Sequence, residues 1–410
     1  MIIWIFNHYA DKPGGLYQRH FDFGSELVKK GHQVHIFSSA FSHNRFKYEV
    51  KFQSICSTLR SETYDGVVFH FLRTTPYCKN NWRRVLNIVS YFILVLFHGI
   101  RKRPRPDVII GSSVHPLAPL AAYIISKLRK SKFVFEVRDL WPETLFDIGL
   151  LKKDSLIGRF LRYFEKFLYR KAKKILVLLP YADEYIASLG IPKEKIAWIP
   201  NGTKICRFAK LTPPPLKSSP PFSIYYLGAF GNANGLDVAI KGFALLEKKF
   251  PGFFEFHLFG SGPEKENLTM LVSELNVKSV YFHSPVSKEK IYTVMSAADC
   301  FLFILKDLPL FKFGISPNKL NDYLSSYRPV ISLTNVPNNV VKDSGCGVYR
   351  TEITPVSLAE AVEELFLMKT PEERFNMGLK GRKYIEDNYE IKKLSMSLNN
   401  LLFEVANNYV

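Results

Sequence analysis

An α/β protein of two doubly wound domains is what this sequence predicts, and three observations carry the prediction. Short apolar, strand-like runs alternate with helical stretches, the pattern of a parallel sheet with helices on its faces. The same opening of strand, glycine loop and helix occurs at the N-terminus and again after Pro221. The length, 410 residues, exceeds what one hydrophobic core usually serves. An apolar content of 47% without low-complexity tracts marks a folded chain.

Ile2–Asn7 reads as a buried strand. A turn at Pro13-Gly14-Gly15 follows, then a helical pattern from about Tyr17 to Lys30, a stop at Gly31 and a strand at Val34–Ser38. This unit opens a doubly wound sheet. Its glycines lack the full dinucleotide fingerprint; besides phosphate binding, the Gly14–Gly15 pair lets a second substrate approach the backbone closely. Val67–Leu72, Val108–Gly111 and Phe133–Val137 continue the strands, and Ile196–Thr203 closes the domain. Pro213–Pro221 reads as a stiff connector. The pattern then restarts with a strand at Phe222–Leu227, a glycine loop at Gly228–Gly235 and a helix at Leu236–Lys249. A strand at Phe254–Phe259 enters the turn Gly260-Ser-Gly-Pro-Glu-Lys265, and Val280–His283 and Cys300–Leu305 extend the sheet. The expected boundaries are a first domain 1–205, a Pro-rich linker 206–221, a second domain 222–385, and a C-terminal helix 386–410 packing back on the first domain. Two such domains are expected to face each other across a deep cleft.

The charge of +19 is lopsided. Residues 1–205 carry 33 Lys and Arg against 16 Asp and Glu, a net of +17, whereas residues 206–410 carry 23 against 21. Such asymmetry predicts an anionic partner for the first half, nucleic acid or a membrane surface. Two stretches favour the membrane. Trp82–Phe97 is apolar but too short and too interrupted, by Asn87 and Ser90, to span a bilayer comfortably. It reads either as a buried core helix or as an interfacial helix with basic flanks at Arg83, Arg84, Arg101, Lys102, Arg103 and Arg105. Lys152–Lys174 is a second amphipathic stretch with nine Lys and Arg. No nucleic-acid module is recognisable, so nucleic acid is not expected as a partner. Five scattered cysteines (Cys56, Cys78, Cys206, Cys300, Cys346) without metal-like spacing suit a reduced, cytoplasmic protein. No signal peptide is expected at the strand-like N-terminus.

The most informative stretch is Leu310–Ile331, a loop, a helix start, a short helix and a buried strand. Ser316 suits an N-cap and Pro317 the first helical position. Lys319 then falls in the first turn, where the helix dipole disfavours a cation. A bound anion such as a diphosphate, held by Lys319 and the free N–H groups, would repair this; a solvated surface lysine is the alternative. Asn318 and Asp322 share a face with each other, and Lys319 can also meet Asp322. Two further polar groups sit at strand ends. Ser112-Ser-Val-His-Pro116 follows one strand and Glu136-Val-Arg-Asp-Leu-Trp-Pro-Glu143 closes another, where ligands of open parallel sheets bind. Singly, His115 can be a helix cap and Arg138–Asp139 an ion pair; together in one crevice they make candidate catalytic residues.

Arg138-Asp-Leu-Trp-Pro-Glu143, Pro200-Asn-Gly202, Gly260-Ser-Gly-Pro-Glu264 and Ser316-Pro-Asn-Lys-Leu-Asn-Asp-Tyr323, in this order, resemble the motifs of family 4 of the retaining glycosyltransferases, which have the GT-B fold. The resemblance is closest to the bacterial subgroup that transfers N-acetylated amino or deoxy sugars to lipid-linked acceptors in O-antigen and capsule assembly. It implies an acceptor-binding first domain and a nucleotide-sugar-binding second domain, both Rossmann-like. It implies that Gly260, Gly262, Glu264 and the Ser284–Val286 region line the nucleobase, that Asp322 binds the ribose, and that Lys319 neutralises the diphosphate. It further implies that His115 and Asp139 contact acceptor or donor sugar, and that Gly14 and Gly15 line the reacting centre. The partners implied are a UDP-sugar, an undecaprenyl-diphosphate-linked saccharide and an anionic membrane. The location implied is peripheral, on the inner face of the cytoplasmic membrane.

Two departures stand out. Gly314 occupies the position where the family usually carries a first acid, so backbone N–H groups of Gly314–Ser316 are expected to read the donor sugar. The loop from Gly228 to Gly235 lacks the family's usual Arg and Lys, which shifts diphosphate neutralisation onto Lys319 and Arg138. No carboxylate nucleophile stands out, so a same-face attack fits best, with the leaving group stabilised by a fixed cation and without a metal. The alternatives are a UDP-sugar 2-epimerase of similar layout and a non-enzymatic sugar-binding protein.

Overall fold

The computed structural model describes residues 1–15, 18–54, 56–78, 81–113, 115–147, 149–286 and 290–407. The chain divides into two compact units, Met1–Asn201 with Ile391–Val410, and Gly202–Glu390.

The first unit contains strands β1 (Ile2–Phe6), β2 (Gln33–Ser39), the short hairpin β3 (Phe41–Ser42) and β4 (Lys47–Tyr48), β5 (Leu59–Tyr64), β6 (Val67–Leu72), β7 (Val108–Ser112), β8 (Lys132–Val137), β9 (Lys174–Val177) and β10 (Ile196–Trp198). Its helices are α1 (Arg19–Lys29), α2 (Trp82–Arg101), α3 (Leu117–Leu128), α4 (Glu143–Asp147), α5 (Leu156–Lys171) and α6 (Ala182–Ser188). Tyr17, where the first helix is expected to begin, lies outside the described residues. The large sheet runs β10-β9-β8-β7-β1-β2-β6-β5. Every pairing in it is parallel except the antiparallel β5–β6 hairpin. The strand order reverses between β1 and β7, which opens a crevice at their carboxyl ends.

The second unit contains β11 (Phe222–Leu227), α7 (Leu236–Lys249), β12 (Phe254–Phe259), α8 (Lys265–Glu274), β13 (Val280–His283), α9 (Ile291–Ser296), β14 (Cys300–Ile304), α10 (Asn318–Leu324), β15 (Val330–Leu333), α11 (Val340–Ser344), β16 (Gly347–Arg350), α12 (Pro355–Glu363) and α13 (Pro371–Asn388). Its sheet, β13-β12-β11-β14-β15-β16, is parallel throughout, with the reversal between β11 and β14. Alternation along β11 divides two cores. Ile224 and Tyr226 pack with Phe243 and Leu358 on one face, while Tyr225 and Leu227 pack with Phe301 and Tyr323 on the other.

The last helix, α14 (Ile391–Asn407), buries Ile391, Leu398, Leu402 and Val405 in the core of the first unit. The Pro-rich stretch differs from a free connector. Phe208 and Leu211 are buried in the core of the second unit, and Lys217 pairs with Asp299 at 2.6 Å. Residues 206–221 therefore belong to that unit, held by the buried side chains of Phe208 and Leu211, although Leu216 is exposed. A second correction concerns α10. The cap position is Pro317, in an extended conformation with ψ 128, and not Ser316, so the helix begins one residue later than expected.

Inside the first unit the elements are tied by one buried carboxylate. Glu136 on β8 accepts from Arg19 Nε at 2.9 Å, from His20 Nε2 at 2.6 Å and from Ser112 Oγ at 2.6 Å. Arg19 also donates to the carbonyls of Pro200 at 2.5 Å and Ile199 at 2.8 Å, so α1, β8 and the end of β10 share one network. Burial alone would raise the Glu136 pKa; its neighbours His20 and Arg19 and the hydrogen bonds outweigh it and hold the carboxyl well below its ordinary range. Removing the anion would leave Arg19 buried and uncompensated. Glu136→Ala is expected to lose about 3–5 kcal/mol of stability in urea titration. A loss below about 1 kcal/mol would show that the network does not hold these elements together.

Candidate functional site

In the second unit the reversal between β11 and β14 sets the Gly228–Gly235 loop beside the segment that leads into α10. Tyr323 anchors α10 to β11: its hydroxyl accepts from Leu227 N at 2.8 Å and donates to Leu227 O at 2.9 Å. One turn earlier, Lys319 extends into the crevice. Its ammonium donates to Asn234 Oδ1 at 2.7 Å and to the Tyr226 hydroxyl at 3.1 Å. It also lies over the rings of Tyr226, at 4.6 Å, and Phe303, at 5.3 Å. Tyr226 and Asn234 are themselves oriented by the Ala229 carbonyl, to which they donate at 2.8 and 3.0 Å.

Every one of these partners is neutral. Burial pushes the Lys319 pKa down to about 7, and among the described residues no acid forms an ion pair with it. Lys306 in the same region is different: it reaches Asp237 at 3.2 Å and Asn232 Oδ1 at 2.9 Å. Lys319 is thus a desolvated cation whose counter-ion is not supplied by the described residues, and it is not the solvated lysine of the alternative reading. With only seven residues, α10 is too short for its dipole to add much, so Lys319 itself carries the positive charge.

The glycines of this region are required by close backbone approach. A Cβ on Gly260 would sit 1.9 Å from the Gly228 carbonyl, and one on Gly262 would sit 2.4 Å from the Phe230 carbonyl. Phe230 N donates to Ser261 O at 2.9 Å and Glu264 N to Phe230 O at 3.0 Å. Gly228, Gly260, Gly262 and Glu264 therefore form one continuous wall with the Lys319 loop. Asp322 lies on α10 with its Oδ1 3.5 Å from Thr203 Oγ1. Asn318 is exposed and Ser316 and Val286 are partly buried, without a described contact to Lys319. The expectation for Gly314–Ser316 changes. The N–H of Gly314 is used by Phe311 O at 2.9 Å and that of Ile315 by Asn338 Oδ1 at 2.9 Å, so neither points to a ligand.

In the first unit, the crevice between β1 and β7 collects His8, Tyr9, His43, Tyr77, Tyr91 and His115. His8 Nδ1 and His115 Nε2 are 2.8 Å apart, and His8 stacks on Tyr91 with ring centroids 4.4 Å apart. His115 is buried and follows β7; the cap of α3 is Pro116, so His115 is not a helix cap. Burial, helped by the Arg84 charge, pushes its pKa down to about 3. Arg138 donates through its backbone to Ser113 Oγ at 3.1 Å, while its Nη1 is buried without a hydrogen-bond partner. Asp139 is exposed and forms no ion pair with Arg138 among the described residues. Gly14, at φ +86, and Gly15 belong to the turn after β1, where a Cβ on Gly15 would meet Asp11 Cβ at 2.2 Å. Sequence reasoning missed His8, Tyr226 and Asn234. Tyr226 looks like any strand aromatic, and Asn234 sits in a loop read only for its glycines. The signal for His8 was a polar residue directly after an apolar strand.

The basic flanks separate on inspection. Arg83, Arg101, Arg103 and Arg105 are exposed and Lys102 is partly buried. Arg84 instead turns toward the histidine cluster, with its Nε buried. Helix α2 is long and apolar enough to cross a membrane, yet Asn87, Tyr91, Val95 and Gly99 form a stripe buried against the unit. Its opposite face exposes Trp82, Val85, Ile93 and Phe97, and α5 exposes Leu156, Ile157, Phe160 and Tyr163. Among the described residues, no three His, Cys, Asp or Glu side chains converge on a metal-sized site.

Comparison with known proteins identifies the family and the fold. Residues 13–206 match the family model Glycosyltransferase Family 4, and residues 209–384 match the model Glycosyl transferases group 1. The probable glycosyltransferase WbjE of Pseudomonas aeruginosa is 22% identical over 304 residues, which cover 70% of this chain and 74% of that protein. Sucrose-phosphate synthase from Thermosynechococcus elongatus superposes with a TM-score of 0.72 at 14% identity, over 98% of each chain. HepE of Anabaena, solved in complex with UDP and glucose, gives 0.66 at 14% identity over 98% of this chain and 99% of that one. WaaG, a glycosyltransferase involved in lipopolysaccharide biosynthesis, gives 0.62 at 15% identity over 98% of this chain and 99% of that one. With the two family models following one another along nearly the whole chain, the protein belongs to glycosyltransferase family 4 and has the GT-B fold.

Proposed function

We propose that this glycosyltransferase transfers an N-acetylamino or deoxyamino sugar from UDP to a lipid-linked saccharide, with retention, during assembly of a cell-surface polysaccharide. The observation that carries the donor half is Lys319, a desolvated ammonium with neutral partners only, in the crevice of the second unit. The solved complex of HepE with UDP and glucose supports a nucleoside diphosphate as the missing anion. The lipid-linked acceptor is supported by the involvement of WaaG in lipopolysaccharide biosynthesis and by the motifs of the subgroup. In the reaction the bond from the anomeric carbon to the diphosphate oxygen breaks, and a bond to the acceptor oxygen forms on the same face. The acceptor proton passes to the departing diphosphate, whose growing charge Lys319 stabilises. This reading needs no metal.

The test is a transfer assay offering UDP-N-acetylglucosamine, UDP-N-acetylgalactosamine, UDP-glucose and UDP-galactose to a short-chain lipid diphosphate–N-acetylglucosamine. Transfer with retained anomeric configuration, undiminished by excess EDTA, is expected from one or more donors. Lys319→Ala is expected to lower turnover by at least about 10²-fold with the fold intact. Inversion would contradict the reaction course, loss of activity in EDTA would contradict the metal-free account, and near wild-type turnover of Lys319→Ala would remove its centre.

We further propose that the protein works on the inner face of the cytoplasmic membrane, peripheral to it. Exposed apolar residues on α2 have Arg83, Arg101, Arg103 and Arg105 on or next to the same helix, the composition of an interfacial surface, and α5 exposes a second apolar set. Adsorption to liposomes containing anionic lipid is expected to weaken as salt rises, and neutral liposomes are expected to bind much less. Adsorption indifferent to both lipid charge and salt would favour hydrophobic insertion of the α2 face instead.

A further inference from the structure

The second unit holds two lysines against one loop, and it treats their charges differently. Lys306, two residues after β14, donates through its backbone to Ala233 O at 3.0 Å and through Nζ to Asn232 Oδ1 at 2.9 Å. It also pairs with Asp237 at 3.2 Å, so its charge is compensated within the unit. Asn232–Asn234 form one turn of 3-10 helix, closed by Gly235 in the left-handed region at φ +56. Asn234 is therefore presented to Lys319 from a turn that is itself pinned, and the bond between them at 2.7 Å has a fixed origin.

One backbone carbonyl settles the hydrogens around the Lys319 ammonium. Ala229 O accepts from the Tyr226 hydroxyl at 2.8 Å and from Asn234 Nδ2 at 3.0 Å. A carbonyl can only accept, so the single Tyr226 proton is spent there and the Asn234 amide is oriented with Oδ1 free to accept. Tyr226 Oη and Asn234 Oδ1 thus both meet Lys319 as acceptors, at 3.1 and 2.7 Å. An ammonium carries three hydrogens. Two are bound in this way, and the third has no acceptor among the described residues. Neither acceptor is charged. An acid in place of Asn234 would have nearly the same shape and would neutralise Lys319 in the free protein, as Asp237 does for Lys306. The amide fixes the direction of the ammonium and leaves its charge uncompensated, which is what a preorganised charge-stabilising group needs.

We propose that Asn234 and Tyr226 are positioning residues for Lys319: they hold two of its three N–H groups and aim the third at a phosphate oxygen of a nucleoside diphosphate, and the neutrality of Asn234 reserves the lysine charge for that oxygen. That the anion is a nucleoside diphosphate rests on the donor reading of Lys319 given above; the orientation of the two acceptors does not.

The test uses the full chain, UDP as the binding probe, nitrogen NMR of the lysine side chains, and the transfer assay for turnover. Asn234→Asp keeps the shape and supplies a counter-ion. Lys319 is expected to titrate above its wild-type value, because the carboxylate favours the charged form. UDP is expected to bind at least about tenfold more weakly near neutrality, since it now meets a neutralised pair. Wild-type affinity for UDP is expected to fall with rising pH as Lys319 loses its proton. In Asn234→Asp that fall is expected to vanish above about pH 7.5, where the terminal phosphate, with a second pKa near 6, no longer titrates. Tyr226→Phe keeps the ring beside the ammonium but removes one acceptor. Lys319 is then expected to titrate below its wild-type value and turnover to fall about tenfold, the scale of one hydrogen bond. A merely structural role would not move the Lys319 titration in opposite directions in the two variants. An unchanged Lys319 titration or an unchanged UDP affinity in Asn234→Asp, while Lys319→Ala still weakens UDP binding, overturns the proposal and leaves the donor reading standing. Equal UDP affinity of the wild type and Lys319→Ala overturns both.

Discussion

The controlling constraint is that charge buried at the carboxyl end of a parallel sheet must be compensated. The two units meet it in different ways. In the first, Glu136 is surrounded by Arg19, His20 and Ser112, and the resulting network ties α1, β8 and β10 together. In the second, Lys319 is placed among a phenol, an amide and two aromatic rings, none of which carries the opposite charge. The first arrangement is complete as folded and serves stability. The second lacks a counter-charge among the described residues, and in the proposed function an anion completes it. A lysine held this way is poised to favour a diphosphate most when its charge is greatest, which is when it departs.

Much of this was legible in the sequence. β6, β11, β12, β13 and α7 fall on the predicted residues, because apolar runs bounded by glycine loops leave little choice of boundary in a parallel sheet. Elsewhere the reasons for failure are specific. The edge strand β5 lacks an apolar alternation, with four polar residues in a row from Arg60 to Thr63, and its only clear signal was the Asp65-Gly66 turn to β6. β9 was not predicted: Lys174-Ile-Leu-Val177 starts on the last residue of the basic amphipathic stretch Lys152–Lys174, and its apolar run is only three residues long. Ser316 has the right chemistry for a cap, but the extended Pro317 takes the position.

The candidate site was legible as a set of positions and not as a set of partnerships. Lys319 stood out because it breaks a local rule, which a working residue can do. Its neighbours Tyr226 and Asn234, from two other segments, could not be paired with it without the fold. The same holds for His8 and His115, which lie 107 residues apart in sequence. Arg84 shows the reverse case: grouped by sequence with a basic surface, it is carried by the helical period to the buried side of α2 and lowers the pKa of the histidines there.

The central claim is that Lys319 is a desolvated cation waiting for a diphosphate, and its own titration tests that most directly. Lysine side-chain nitrogens can be followed by NMR in labelled protein, with Lys319 assigned by its absence in Lys319→Arg. In the free protein the ammonium is expected to titrate near the value of about 7 that burial imposes. A bound diphosphate favours the charged form, so saturating UDP is expected to raise it. Binding above neutrality then takes up a proton, and UDP affinity is expected to fall with rising pH, by up to about tenfold per unit. A Lys319 that titrates at the ordinary lysine value of 10.5 with and without UDP would contradict the account.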